Sequence, residues 1–566
     1  MVFQLNQDDQ SDMNQQLPQR KQPDNHSFNT GPAALTAWLD DLPLINTGKS
    51  LELLDGALQQ INTLMLPPDN RREALERFTT PVMCVTDALK KEFLDKPLPL
   101  KDKYLVAATQ TLELCNNMAT GYRILADDLR NKNRDKPRLA IALHRALRYL
   151  SEILLTSYRI YIQYPEGLWK TINALYALAD ECNITGHAVT DITLHTHAES
   201  SIETVYKQTL LLSLACPYRL RQKDIHFVYN TLLDWADSSQ LHHMNDEKTH
   251  GLFSINLQSD APPSYRNLSD ISTPDAHICI LDTNRMAARM REHLAAEQGS
   301  TGQQTGTNIT ETMHRLMLAW GVMPKRRFAR HPQDAPVRLL IGLSAINRIA
   351  LESVTGKPEA DKDIRDTHYL QDPTFEGATS IDTGPLSGKS SRQAITADNN
   401  PFKGAYAADN MSTSRIESWK IADISAGGYC LLWDSDKVSC AQVGELIALI
   451  EEGQHAPDTW QLGTIRRMKF TEERGLELGI QLLSPGARTV WAQPLNNGVS
   501  KGDRIQGILL PGIATIRQQA SLLLPSLPLR TGCTARIEDN GKTETVKLTR
   551  QLENTGSFAQ YHFTSL

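Results

Sequence analysis

Residues 419–433 read Trp-Lys-Ile-Ala-Asp-Ile-Ser-Ala-Gly-Gly-Tyr-Cys-Leu-Leu-Trp. Two apolar runs, 419–424 and 428–433, flank a turn built from Ser, Ala and Gly, which predicts an antiparallel strand pair. The turn carries Asp423, Ser425, Gly427 and Gly428 in the order DxSxxG. Asp423 and Ser425 stand at i and i+2, so both point to one side of a strand. A carboxylate there accepts hydrogen bonds and a hydroxyl gives or takes one. Gly427 and Gly428 let backbone or ligand come close.

Working outward, further strands are predicted at 445–450, 460–470 and 476–483. In the last, Leu476, Leu478, Ile480 and Leu482 alternate with Glu477, Gly479 and Gln481, the period of a strand with one buried face. Upstream, 337–341 reads as a first strand. Between them, about 355–415 is poor in apolar residues and reads as a disordered insertion. Beyond about 495 a further small β module is expected over 496–566, with Asp539-Asn540-Gly541 as a hairpin turn.

A second motif precedes the first strand: Lys325-Arg326-Arg327-Phe328-Ala329-Arg330, with Arg326 and Arg330 spaced RxxxR. In an extended loop these two lie about 13 Å apart on one side. A guanidinium is a planar fork of donors that matches phosphate bidentately. The same fork matches the O6/N7 edge of guanine and stacks on a base. A carboxylate beside a hydroxyl suits guanine N–H donors. The two motifs together suit a ligand with both phosphate and guanine.

In this order, and followed by these strands, the motifs resemble the PilZ domain, a six-stranded β-barrel family that binds the second messenger cyclic di-GMP. The family pattern, RxxxR in the lead-in loop and then [D/N]xSxxG on the barrel, is filled here by Arg326, Arg330, Asp423, Ser425 and Gly428. The resemblance implies cyclic di-GMP contacts at Arg326, Arg327, Arg330, Asp423, Ser425, Gly427 and Gly428. It implies that the arginines hold phosphate and meet guanine while the second motif surrounds a base. It covers about 322–350 and 415–490. One departure is the separation of the motifs by about 90 residues, explained by the polar insertion; loop closure costs only slowly more with length.

The rest of the chain of 566 residues reads differently. Residues 1–30 are crowded with Gln, Asn, Asp and Pro and are expected to be disordered. From 31 to 320 the pattern is mainly α-helical, with a short β insert near 250–282. Its clearest helix runs over 135–162, where Asp135 can cap, Pro137 suits the first turn, and Leu139, Leu143, Leu147, Leu150, Leu154 and Tyr158 share one face. The fold class is therefore multidomain α+β: an all-α helical region, a six-stranded barrel over 322–495, and the last β module.

With 59 Lys and Arg against 65 Asp and Glu, the net charge of −6 argues against a chain that coats DNA or RNA. No apolar run approaches the roughly 18 residues of a membrane span, and the polar N-terminus is not a signal peptide. Eight cysteines without a CxxC pair are expected to be small buried residues, neither disulfides nor metal ligands. Asn46-Thr47-Gly48-Lys49-Ser50 and Ser387-Gly388-Lys389-Ser390 lack the first glycine of a P-loop, which would stand where Pro43 and Thr383 are. His195, His197, His242 and His243 show no metal-ligand spacing. No catalytic motif is present, so no enzyme, metal or cofactor is expected.

The reading of the whole is a cytoplasmic cyclic di-GMP receptor. Its barrel senses the nucleotide, and its helical region transmits to an unidentified protein partner. The alternative is a degenerate PilZ scaffold that binds proteins and no nucleotide.

Overall fold

The computed structural model describes residues 17–130, 135–191, 199–243, 251–266, 277–299, 307–321, 328–355, 416–433, 435, 437–450, 460–484, 486–496, 499–500, 502–512, 518–526, 529–539 and 541–566. Its N-terminal half contains α1 (Pro32–Asp40), α2 (Thr47–Asn62), α3 (Pro68–Phe93), α4 (Asp102–Arg130), α5 (Lys136–Arg159), α6 (Leu168–Glu181), α7 (Ile202–Leu214) and α8 (Gln222–Trp235). The predicted face of α5 is buried from Leu139 to Tyr158. So are Ala142, Ala146 and Ile153 on its other sides, because α4, α6, α7 and α8 all pack against it. Pro137 occupies the first turn, but Asp135 makes no cap bond; it accepts from Arg138 Nη1 at 3.2 Å.

The tail differs from its expectation. Residues 1–16 lie outside the described residues, whereas 17–30 pack on the helices. Arg20 pairs with Asp128 at 2.6 Å, Lys21 bridges to Leu64, and Phe28 meets Trp38 edge-on at 5.1 Å. Composition averaged over thirty residues hides one aromatic anchor.

A two-stranded pairing of β1 (Val189–Thr190) with β2 (Glu199–Ser200) sits beside α5. The predicted insert is a four-stranded sheet of β3 (Gln240–His243), β4 (Phe253–Asn256), β5 (Ser264–Tyr265) and β6 (Ile278–Asp282), ordered β3-β6-β4-β5. Two helices follow, α9 (Asn284–Gly299) and α10 (Thr307–Gly321). Trp320 anchors α10 to the bundle, its Nε1 donating to Leu211 O at 3.0 Å.

The barrel is a closed antiparallel ring of six strands in the order β7-β10-β11-β12-β9-β8. They are β7 (His331–Ile341), β8 (Glu417–Ser425), β9 (Gly428–Trp433), β10 (Leu446–Ile450), β11 (Gln461–Thr471) and β12 (Gly475–Ser484). The helix α11 (Leu343–Thr355), which strand-period reading misses, starts directly after β7, where Gly342 turns the chain at a φ of +97°.

The C-terminal β module is itself a closed ring. β13 (Arg488–Asn496), β15 (Ile505–Leu510), β16 (Ser521–Leu524), β19 (Ala559–Ser565), β18 (Lys542–Asn554) and β17 (Thr534–Asp539) pair in turn, β17 returns to β13, and β14 (Val499–Ser500) hangs from β13. Asp539 pairs with Lys542 across the predicted turn.

Alternation explains how the layers join. Along β10, Ile447 and Leu449 point into the first barrel, where they join Leu339, Trp419, Leu431, Ile465 and Leu478 in a core continuous with the helical half. Leu446, Ala448 and Ile450 point outward into a second cluster with Leu343 and Ile346 of α11 and Ile508, Leu510 and Phe558 of the second barrel. A third cluster fills the second barrel. Full burial of each such aliphatic side chain stabilises by about 1.5–3 kcal/mol.

Inside the helical half lies a charged knot. Arg148 donates from Nε to Asp191 at 2.9 Å and from Nη1 to Gln208 at 2.7 Å, and Arg145 lies 3.5 Å from Asp191. His144 is buried beside them, its Nε2 without a hydrogen-bond partner. Burial first, and then the Arg148 charge, push its pKa down to about 3. The unfolded chain therefore takes up this proton first, near pH 6.5. Stability is fully present above that pH and falls below it, by up to about 1.4 kcal/mol per pH unit. Helical melting followed by circular dichroism between pH 7 and 5 is expected to show this slope, and His144→Leu to flatten it.

Candidate functional site

The ring order brings the two motifs together. β7 pairs with β8, with His331 opposite Ile424, so the lead-in loop ends beside the β8–β9 turn. Arg330 donates from Nη1 to Asp423 Oδ2 at 3.1 Å across 93 positions of sequence. The ring of Phe328, exposed on its outer side, rests against the same turn. A Cβ built on Gly427 would stand 3.0 Å from Phe328 Cδ2. Arg326 and Arg327 lie outside the described residues.

The turn is held from below. Ser425 donates from Oγ to Gly428 O at 3.2 Å, and Leu482 N donates to Gly427 O at 3.0 Å. Gly428 stands opposite Gln481 of β12, so close that an added Cβ would lie 1.8 Å from Ile480 O. This glycine is required by approach of backbone to backbone. Beneath the turn, Tyr429 is barrel core and donates from its hydroxyl to Gln461 Oε1 at 2.9 Å. Trp433 packs on Trp419 at 4.7 Å between ring centres. Burial pushes the Cys430 thiol up to about 12.

The Arg330–Asp423 pair is open to solvent, with side chains 49% and 22% exposed. Pairs so exposed contribute at most about 1 kcal/mol. It is therefore strong enough to aim the guanidinium and weak enough to be remade around an anion. Ser425, Gly428 and Gln481 lie in one row across three strands of the barrel wall, with Asp423 two residues back along β8.

Arg466 and Arg467, adjacent in β11, part at a bulge in that strand. Arg467 pairs with Glu477. Arg466 donates from Nε to Gln481 Oε1 at 2.7 Å and from Nη2 to Glu553 Oε2 of β18 at 2.6 Å. Gln481 and Glu553 carried no motif and were not identified from sequence.

Other sequence candidates resolve into local structure. Asn46 caps α2, its side chain accepting from Lys49 N, and Lys49 pairs with Glu52 at 2.9 Å. The stretch 387–390 lies outside the described residues, as do His195 and His197. His242 lies in β3, and His243 pairs with Asp180 at 2.9 Å. None of the eight cysteines forms a disulfide, but only Cys115, Cys279 and Cys430 are buried. Cys84, Cys216 and Cys440 are exposed and Cys182 and Cys533 half-buried, against the expectation of small buried residues. No described helix is long and apolar enough to cross a membrane.

Three family profiles match the chain in succession. "Cyclic-di-GMP receptor FimW, N-terminal domain" covers residues 33–247, "Cyclic-di-GMP receptor FimW, middle PilZ domain" covers 252–489, and "FimW C-terminal beta-barrel domain" covers 490–566. The middle profile thus includes β4–β6 of the small sheet and α9–α10 together with the barrel, while β3 falls within the N-terminal profile. A curated relative, "Cyclic-di-GMP receptor FimW" of Pseudomonas aeruginosa, is 28% identical over 560 residues, spanning 94% of this chain and 90% of the relative. No solved structure matches the chain significantly.

The contact geometry separates the two turn glycines. Gly428→Ala is expected to lower stability by about 3 kcal/mol or more, because strand backbone must part. Gly427→Ala, which meets only a half-exposed ring, should stay within about 0.5 kcal/mol. Thermal melts of both variants beside wild type check this.

Proposed function

We propose that this chain, which carries a PilZ domain, is a cytoplasmic receptor for cyclic di-GMP, with the lead-in arginines and the β8–β9 turn as its site. The observation that carries the proposal is the Arg330–Asp423 contact. It joins the two halves of the motif across 93 positions of sequence.

 The long segment between the motifs therefore does not keep the two halves apart. The relative named as a cyclic di-GMP receptor supports the choice of ligand.

The chemistry follows from the groups present. A phosphodiester oxygen meets the Arg330 fork, which the Asp423 carboxylate aims outward. Guanine N–H donors meet Asp423, and the Ser425 hydroxyl turns from Gly428 O toward the base. Phe328, lying on Gly427, offers a ring face at the rim. Residues 322–330 connect α10, which Trp320 fixes to the helical half, to the barrel. A ligand that draws this segment onto the turn therefore acts on the junction between them. It shifts that junction only as far as it binds one arrangement more tightly than the other. The helical half is the proposed surface for a protein partner.

Calorimetric titration of the purified chain with cyclic di-GMP tests the proposal. Saturable binding is expected, reduced at least about tenfold in Arg330→Ala, the loss of one charge-assisted contact. It should be abolished in Arg326→Ala/Arg330→Ala, and GTP should not compete. No binding by folded wild type would leave the PilZ scaffold without a nucleotide and favour protein binding alone.

A further inference from the structure

Glu553 gathers three parts of the molecule at one carboxylate. It stands on β18 of the second barrel. It accepts from both Nη atoms of Arg466 on the first barrel and from Arg315 Nη2 on α10 at 2.9 Å. Arg315 also donates from Nε to Glu311 at 3.3 Å. The carboxylate is only 13% exposed and Arg466 26%. Burial alone would raise the pKa of Glu553, but the hydrogen bonds and charge of Arg466, then Arg315, outweigh it and hold the group below the usual glutamate range. It is an anion in place.

The same Arg466 reaches the candidate site. Its Nε holds the side chain of Gln481, and Gln481 is the strand partner of Gly428, which is the strand partner of Ser425. Two strand spacings separate Ser425 from Gln481, about 10 Å. A ligand with two bases and two phosphates can span that row. Arg466 thus stands with one edge toward the site and the other toward Glu553.

We propose that Arg466 is a further arginine of the ligand site and that Glu553 is its internal counter-anion, so that a phosphodiester of the ligand and the Glu553 carboxylate compete for one guanidinium. This rests on the receptor reading above. The exchange leaves no charge unpaired. Arg466 passes from carboxylate to phosphate, and Glu553 remains with Arg315. Without Arg315 the same exchange would strand a largely buried carboxylate, which is costly. Because coupling is reciprocal, whatever Glu553 takes from ligand affinity the ligand takes from the contact between the barrels. The second barrel and α10 thereby sense occupancy of a site neither has to touch.

Calorimetry with cyclic di-GMP on full-length wild type and three variants tests this, with a thermal melt of each as the control for folding. Glu553→Gln is expected to bind about fivefold tighter or more, since Arg466 is released. Arg466→Gln should bind at least about tenfold more weakly. Arg315→Gln should bind more weakly than wild type, an effect that survives as a test if Glu553→Gln does not fold. Hydrogen exchange in wild type should quicken in β18 and α10 on saturation. If wild type binds while Glu553→Gln binds equally or less tightly, or Arg466→Gln binds as wild type does, the competition is overturned. If wild type does not bind at all, the receptor reading falls, and this inference with it.

Discussion

Both faces of β10 in the first barrel's wall are apolar, and this constraint organises the rest of the molecule. A strand in an ordinary barrel shows one face to the core and one to water. β10 is buried along its whole length. Its inward residues complete a core shared with the helices, and its outward residues need a second cover. That cover comes from α11 and the second barrel. The barrel is therefore not a free module on a linker. It is the middle layer between a helical half and a second barrel, so any change in its shape is felt on two sides.

Polar contacts then set which way those layers face. Leu98, between α3 and α4, bridges to Ser439, between β9 and β10, and Phe470 N of β11 donates to Tyr161 O at 2.7 Å just beyond α5. Glu417, buried at the start of β8, accepts from Trp419 Nε1, Ser439 Oγ and Cys440 N. Its carboxylate is satisfied by three donors, as a buried charge must be. On the other side, Arg221 of the helical half donates to Val443 O at 3.0 Å and also to Ser557 of the second barrel. Ser557 in turn donates to Glu445 of the first barrel. These bonds carry direction where apolar burial carries none.

Much of this was legible in the sequence where local pattern and tertiary role agree. The alternation over Leu476–Leu482 is the observed inside and outside of β12, and the DxSxxG turn sits between β8 and β9 as its glycines require. The heptad-like leucines of α5 face the core, yet the helix buries its other sides too, because a central helix has no solvent face to display. α11 escaped notice since Leu343, Ile346 and Ala350 follow a strand directly and precede a polar stretch. The second barrel read only as a small β module, because closure depends on β17 returning to β13, a pairing no local pattern reports.

The candidate site was legible for a different reason. Its residues were named by chemistry: a fork of donors, a carboxylate beside a hydroxyl, glycines at a close approach. Arg330, Asp423, Ser425, Gly427 and Gly428 are indeed gathered at one end of the β8–β9 pair. What chemistry alone could not supply is the setting of Arg466. A lone arginine in mid-strand has no signature, and Glu553 lies 87 positions away in another barrel. Motifs record the groups that a ligand demands. The groups that restrain a site before the ligand arrives are set by how whole layers dock, and they become visible only once the second barrel is in place.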